Sequence, residues 1–132
     1  MKNMNYTSYT YKETCNNAGA SAPSMTKKEL EQLYNEVVQH EKKVLFAKND
    51  EYSNNTTALS NFYDIANIQQ TTRYRALWNL MSKHLYSVIK LINTQGEGAS
   101  RELIREKICD CRNYLLLLEA LLTEHMPAKE EV

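Results

Sequence analysis

The residues best suited to chemistry in this chain are two carboxylates, Glu106 and Asp110, one helical turn apart. They sit in ASRELIREKICDCRNYLLLLEALLTEH, from Ala99 to His125, the longest apolar-periodic run in the sequence. Ile104, Ile108, Cys111, Leu115, Leu118 and Leu122 recur at steps of four and three, which predicts a buried helical seam. A second row, Leu103, Glu106, Asp110, Asn113, Leu117 and Leu121, is polar in its middle and apolar at its ends. After Tyr114 the run is apolar on nearly every side, so its C-terminal half is expected to be buried. Carboxylates pointing near such a face are costly unless they meet a cation, a metal or a hydrogen-bonded ligand.

A second set of polar residues lies in the stretch Arg73–Thr94. Tyr74, Leu77, Met81, His84, Val88 and Leu91 form a seam, and His84 stands inside that apolar stripe. A histidine so placed either donates to a buried partner or serves as a ligand or proton-transfer group. Lys83 and Ser87, one turn apart, flank the seam, and the charge on Lys83 suits it to phosphate as well as to solvent. Trp78, Leu85, Ile89 and Ile92 make a second apolar row, which predicts burial of this helix on two sides.

The elements that must position these groups read as helices. Thr26 and Glu29 have the spacing of a capping box, and the helix they open runs to about Lys48. KNDEYSNNTT, Lys48 to Thr57, reads as a loop carrying Asp50, Glu51 and Tyr52. Asp50 and Asn54 either cap and turn there, or belong to a polar loop closing one end of a ligand pocket. A short amphipathic helix follows from about Thr57 to Ile68, with Phe62 in its core stripe and Asn61 at the boundary with solvent. Thr72 and Ser100 are N-cap candidates for the last two long helices. INTQGEGAS is short and holds Gly96 and Gly98, so those helices should run antiparallel. Residues 1–25 show no sustained period and read as a flexible tail, with Tyr6, Tyr9 and Tyr11 able to pack on a neighbour. Residues 126–132 read as a charged tail after Pro127.

The expected fold is therefore all-α, a single four-helix bundle-like domain over residues 26–125. The final helix carries more apolar surface than its partners cover, which predicts a homodimer or higher homo-oligomer. Lys and Arg together number 16, as do Asp and Glu, so net charge is zero. Basic residues are scattered, and no duplex nucleic-acid or membrane-surface binding is expected. No stretch approaches the roughly 18 apolar residues of a membrane span. The start MKNMNYTSYTYKETC has no apolar signal-peptide core, so a cytoplasmic location is expected. Cys109 and Cys111 project about 200° apart on a helix and read as reduced thiols, with Cys111 in the core. No Gly-rich phosphate loop, CxxC pair, HExxH or nucleophile elbow is present.

Four segments in order carry a resemblance: K-N-D-E-Y (Lys48 to Tyr52), A-L-S-N-F (Ala58 to Phe62), W-x-L-M-S-K-H-x-x-S (Trp78 to Ser87) and E-K-I-C-D-C-R-N-Y (Glu106 to Tyr114). Together they resemble the phage-encoded "nucleotide modification associated" helical proteins, which are in turn similar to MazG-like all-α nucleotide pyrophosphohydrolases. The resemblance spans roughly Lys27 to Glu124. It implies a phage origin, hence the host cytoplasm, and a role with nucleotides. The matching positions are Asp50, Tyr52, Asn61, Phe62, Trp78, Lys83, His84, Ser87, Glu106, Asp110 and Tyr114. MazG-like enzymes hold Mg²⁺ against a triphosphate with two acidic clusters on neighbouring helices. Here Lys83 and His84 stand where one set of carboxylates would be wanted.

Two functions follow as expectations. In the first, a nucleotide lies between the third and fourth helices, under the loop at Asp50. Lys83 and His84 then contact phosphate, Asn61 and Asp110 hydrogen-bond base or sugar, and Tyr52 or Trp78 stacks on the base. If the protein is catalytic, Glu106 and Asp110 carry Mg²⁺ for attack on a phosphoanhydride, as a nucleoside triphosphate pyrophosphohydrolase. In the second, the chain is a helical interaction module or anti-defence protein that binds a host protein or sequesters a host signalling nucleotide. Asp110 and Lys83 are then merely an ion pair across two helices.

Overall fold

A computed structural model describes residues 24–53 and 57–128. It contains α1 (Lys27–Tyr52), α2 (Ser60–Gln69), α3 (Arg73–Asn93) and α4 (Arg101–Thr123), and no strand occurs among the described residues. The tyrosines of the N-terminal tail and residues 129–132 of the C-terminal one lie outside the described residues, as does Asn54. No described helix is long and apolar enough to cross a membrane.

The helix starts follow from their side chains. Thr26 accepts from the Glu29 N–H while the Glu29 carboxylate accepts from the Thr26 N–H, completing the capping box. Thr72 and Ser100 cap α3 and α4 by accepting from the N–H groups of Arg75 and Leu103. Gln95 and Gly96 have φ of 53° and 72°, so two successive left-handed residues reverse the chain between α3 and α4.

α1 continues to Tyr52 instead of ending near Lys48. No Gly or Pro interrupts Lys48–Tyr52, so nothing there breaks the backbone ladder. Ser53 ends it: its N–H and its hydroxyl both donate to the Asn49 carbonyl, at 2.9 and 2.5 Å. Asp50, Glu51 and Tyr52 therefore lie on the last turn of a helix, not in a loop. Asn49 donates to the Ala58 carbonyl at 2.6 Å and ties that turn to the start of α2, which begins at Ser60, later than its amphipathic pattern suggested.

α3 and α4 pack most closely, α2 lies against α3, and α1 lies against α4. The core is Leu59, Phe62, Leu77, Met81 and Leu121, with Tyr74, Leu85, Tyr114 and Leu117 packed around it. The α3 seam behaves as its spacing predicts, since Leu77 and Met81 are buried. The second α3 row does not. Trp78, Ile89 and Ile92 are exposed, because α2 and α4 both approach the opposite side.

α4 is rotated from its predicted seam. Its buried residues are Cys109, Asp110, Cys111, Asn113 and Leu121, whereas Ile104, Leu115 and Leu122 are exposed. The row with a polar middle thus faces the protein. The expectation that the half after Tyr114 is buried nearly all round fails, because α1 and the short α2 leave Leu115, Leu116 and Leu122 uncovered.

The far end of the bundle is closed by a polar clasp. Arg73 lies over the rings of Tyr63 and Tyr74 at 5.3 and 4.4 Å. Its Nε stands 3.1 Å from Glu124, without hydrogen-bond alignment, and Tyr63 donates to the same carboxylate. That hydrogen bond is the main reason the Tyr63 phenol is held above its usual range.

Candidate functional site

Asp110 is the one buried carboxylate among the described residues, and two basic groups from two other helices meet it. Lys48 Nζ donates to Oδ1 at 3.0 Å from the C-terminal part of α1. His84 Nδ1 stands 3.3 Å from Oδ2, on α3. The ring of Tyr114, one turn along α4 from Asp110, lies 5.2 Å from the His84 ring at a tilt of 34°. α4 supplies this polar centre because its Asp110–Asn113–Leu117–Leu121 row faces inward, so the carboxylate reaches both neighbours.

Burial pushes the His84 imidazole below its usual pKa. The Asp110 charge opposes that shift, and the charges of Lys83, Lys48 and Lys107 add to it. His84 is thus held towards its neutral form, able to donate one N–H to Asp110. Burial also works against the charge on Lys48, but the hydrogen bond and charge of Asp110 outweigh it and raise the ammonium. Burial raises the Tyr114 phenol, which also feels the charges of Lys48, Asp110 and Tyr52. Burial likewise raises the Cys109 and Cys111 thiols, so neither is poised as a nucleophile. Cys109 is buried as well as Cys111, on another side of α4, and Asn113 donates to its sulfur at 3.5 Å.

Lys48 and Asp110 open onto a cleft of about 700 Å³ between α1 and α4. Glu106 lines the same cleft with Glu36, Glu102, His40, Arg101 and Arg105, so carboxylates and basic groups are mixed along it. The volume is in the range of small-ligand sites. Glu106 is exposed and holds Lys107 at 2.8 Å, which raises the Lys107 ammonium.

The sequence-predicted residues divide clearly. His84, Asp110 and Tyr114 come together, with Tyr52 and Lys83 within electrostatic reach of this group, and Glu106 shares the cleft with Asp110. Ser87 turns back to donate to the Lys83 carbonyl on its own helix. Trp78 is exposed on α3, and neither it nor Asn61 nor Asp50 lines the cleft. Asp110 pairs with Lys48, not with Lys83. Lys48 is the residue that sequence reasoning missed. It opens the K-N-D-E-Y segment, and its spacing of four from Val44 was the available signal, since it places Lys48 on the inward row of α1.

Asp110 faces Lys48 and His84, Glu106 faces Lys107, and no group of three or more metal-ligating side chains occurs among the described residues. Lys48 has two ammonium protons not used by Asp110, and its side chain is 56% exposed, so it can reach an anionic group in the cleft. Comparison of the chain with protein-family models, with curated proteins and with solved structures finds no match.

Proposed function

We propose that this protein binds a nucleotide at the α1–α4 cleft beside Asp110. The observation that carries this is the convergence of Lys48 and His84, from two helices, on one buried carboxylate at the edge of a ligand-sized cleft. Lys48 contacts phosphate, with Lys83 and Lys107 adding to the positive field. Asp110 is a positioning residue, holding the Lys48 ammonium and the His84 ring. The resemblance of the four ordered segments to nucleotide-associated phage proteins points to the same ligand class. Binding without turnover is the reading favoured by the pairing of Asp110 with Lys48 and of Glu106 with Lys107.

Thermal unfolding against nucleoside mono-, di- and triphosphates and cyclic nucleotides, with and without Mg²⁺, tests this. A ligand at about 100 times its Kd adds about 2.7 kcal/mol, a shift of several degrees. A metal-independent shift supports a binding or sequestering protein. A shift that requires Mg²⁺ and a triphosphate supports a pyrophosphohydrolase. The exposed α3 row of Trp78, Ile89 and Ile92 favours a second reading, an interaction module for a host protein. No shift with any nucleotide makes that reading the leading one.

A further inference from the structure

α1 is the helix whose packing accounts for least of its length. Of its 26 residues only Val37 is buried, and its one substantial neighbour is α4. Most helical stability in proteins comes from packing an amphipathic face. Yet Leu30, Tyr34 and Val38, spaced by four along one row, are exposed, Tyr34 to 65%. This row adjoins Leu33, Val37 and Glu41 at spacings of three. Those three residues line a groove of about 800 Å³ between α1 and α4, together with Ile104 and Ile108.

We propose that the Leu30–Tyr34–Val38 row seats a second copy of this chain, with α1 packed antiparallel against the same helix of the partner. The charges flanking the row fit that arrangement. Glu31 and Lys42 are eleven residues apart, so they lie about 20° apart around the helix, on one edge of the row. Neither forms an ion pair within the described chain. A two-fold axis between Glu36 and Val37 sets each Glu31 against the partner subunit's Lys42, and the contact is self-complementary as a closed dimer requires. The size fits as well. Lys27 to Leu45 is about 28 Å of helix, and α1 with the flank of α4 is about 20 Å wide, roughly 560 Å² in projection. Stable interfaces bury about 800 Å² of accessible surface per partner, and accessible area exceeds projection on a surface studded with side chains.

Sedimentation equilibrium of the full chain tests the proposal. The expected mass is twice 15.3 kDa. Tyr34→Glu with Val38→Glu should give the single-chain mass, while Ile89→Glu on α3 should remain dimeric. Glu31→Lys and Lys42→Glu should each weaken the dimer several-fold, and the double exchange should restore it. This swap stays informative even if the apolar variants lose helix. A monomeric wild-type chain overturns the proposal and points to residues 1–23, which lead into Ser24 at the groove, as the cover. A dimer that survives the Tyr34 and Val38 changes but is broken by Ile89→Glu overturns it in favour of α3. Failure of the double exchange to restore association overturns the antiparallel pairing.

Discussion

Asp110 and Lys48 meet at 3.0 Å across 62 residues of chain, and their contact joins the helix that packs least to the helix at the centre of the fold. The same carboxylate faces His84 on α3, so one buried charge touches three helices. Removing it leaves Lys48 free to turn to water and His84 without its acceptor. Asp110→Asn keeps the shape and removes the charge. It is expected to lower stability by about 1.5–3 kcal/mol, as for hydrogen bonds to charged groups, measured by urea unfolding.

Lys48→Met should weaken nucleotide binding at least tenfold. It also leaves the buried Asp110 carboxylate without its cation, so it should lower stability by about 1–3 kcal/mol. Isothermal titration gives the affinity. If Lys48→Met and Lys107→Ala both keep full affinity, the phosphate site lies elsewhere.

The pH dependence follows from His84, whose burial holds its folded pKa below the ordinary histidine value of 6.5. The unfolded chain therefore binds more protons than the folded one as pH falls through 6.5. Stability is fully present above that pH and is lost below it, towards the folded pKa. Unfolding midpoints from neutral to mildly acidic pH should fall, and His84→Gln should flatten the fall. An unchanged slope in that variant would locate the responsible proton elsewhere.

Two leucines of similar sequence context should separate sharply. Leu77 is fully buried, and Leu77→Ala should cost about 2–5 kcal/mol. Leu115 is 53% exposed, and Leu115→Ala should cost less than about 1 kcal/mol. Chemical denaturation of both variants tests whether the seam of α4 is rotated as described.

Gln95 holds φ at 53°, a left-handed conformation that disfavours a side chain by about 1–2 kcal/mol. Gln95→Gly should raise stability by roughly 0.5–1 kcal/mol. Gly96→Ala should lower it by a similar amount: its Cβ would meet Ile104 Cδ1 at an ordinary 3.7 Å, so the cost lies in the backbone φ of 72°. Paired melting curves give both signs.

The sequence by itself determined the number and kind of elements. Capping at Thr26, Thr72 and Ser100, the glycine turn after α3 and the apolar spacing of Leu77 and Met81 are local signals, because a cap or a period acts within one or two turns. It also singled out His84 and Asp110, since a polar residue on an apolar row is visible without neighbours. Tertiary structure alone decided which face of α4 turns inward. Apolar residues lie nearly all round that helix after Tyr114, so its period leaves the orientation open, and packing on α3 selected the row holding Asp110 and Leu121. Tertiary structure also chose Lys48 over Lys83 as the partner of Asp110. Both lysines look alike in sequence, and only the approach of α1 to α4 brings one ammonium within 3.0 Å of the carboxylate.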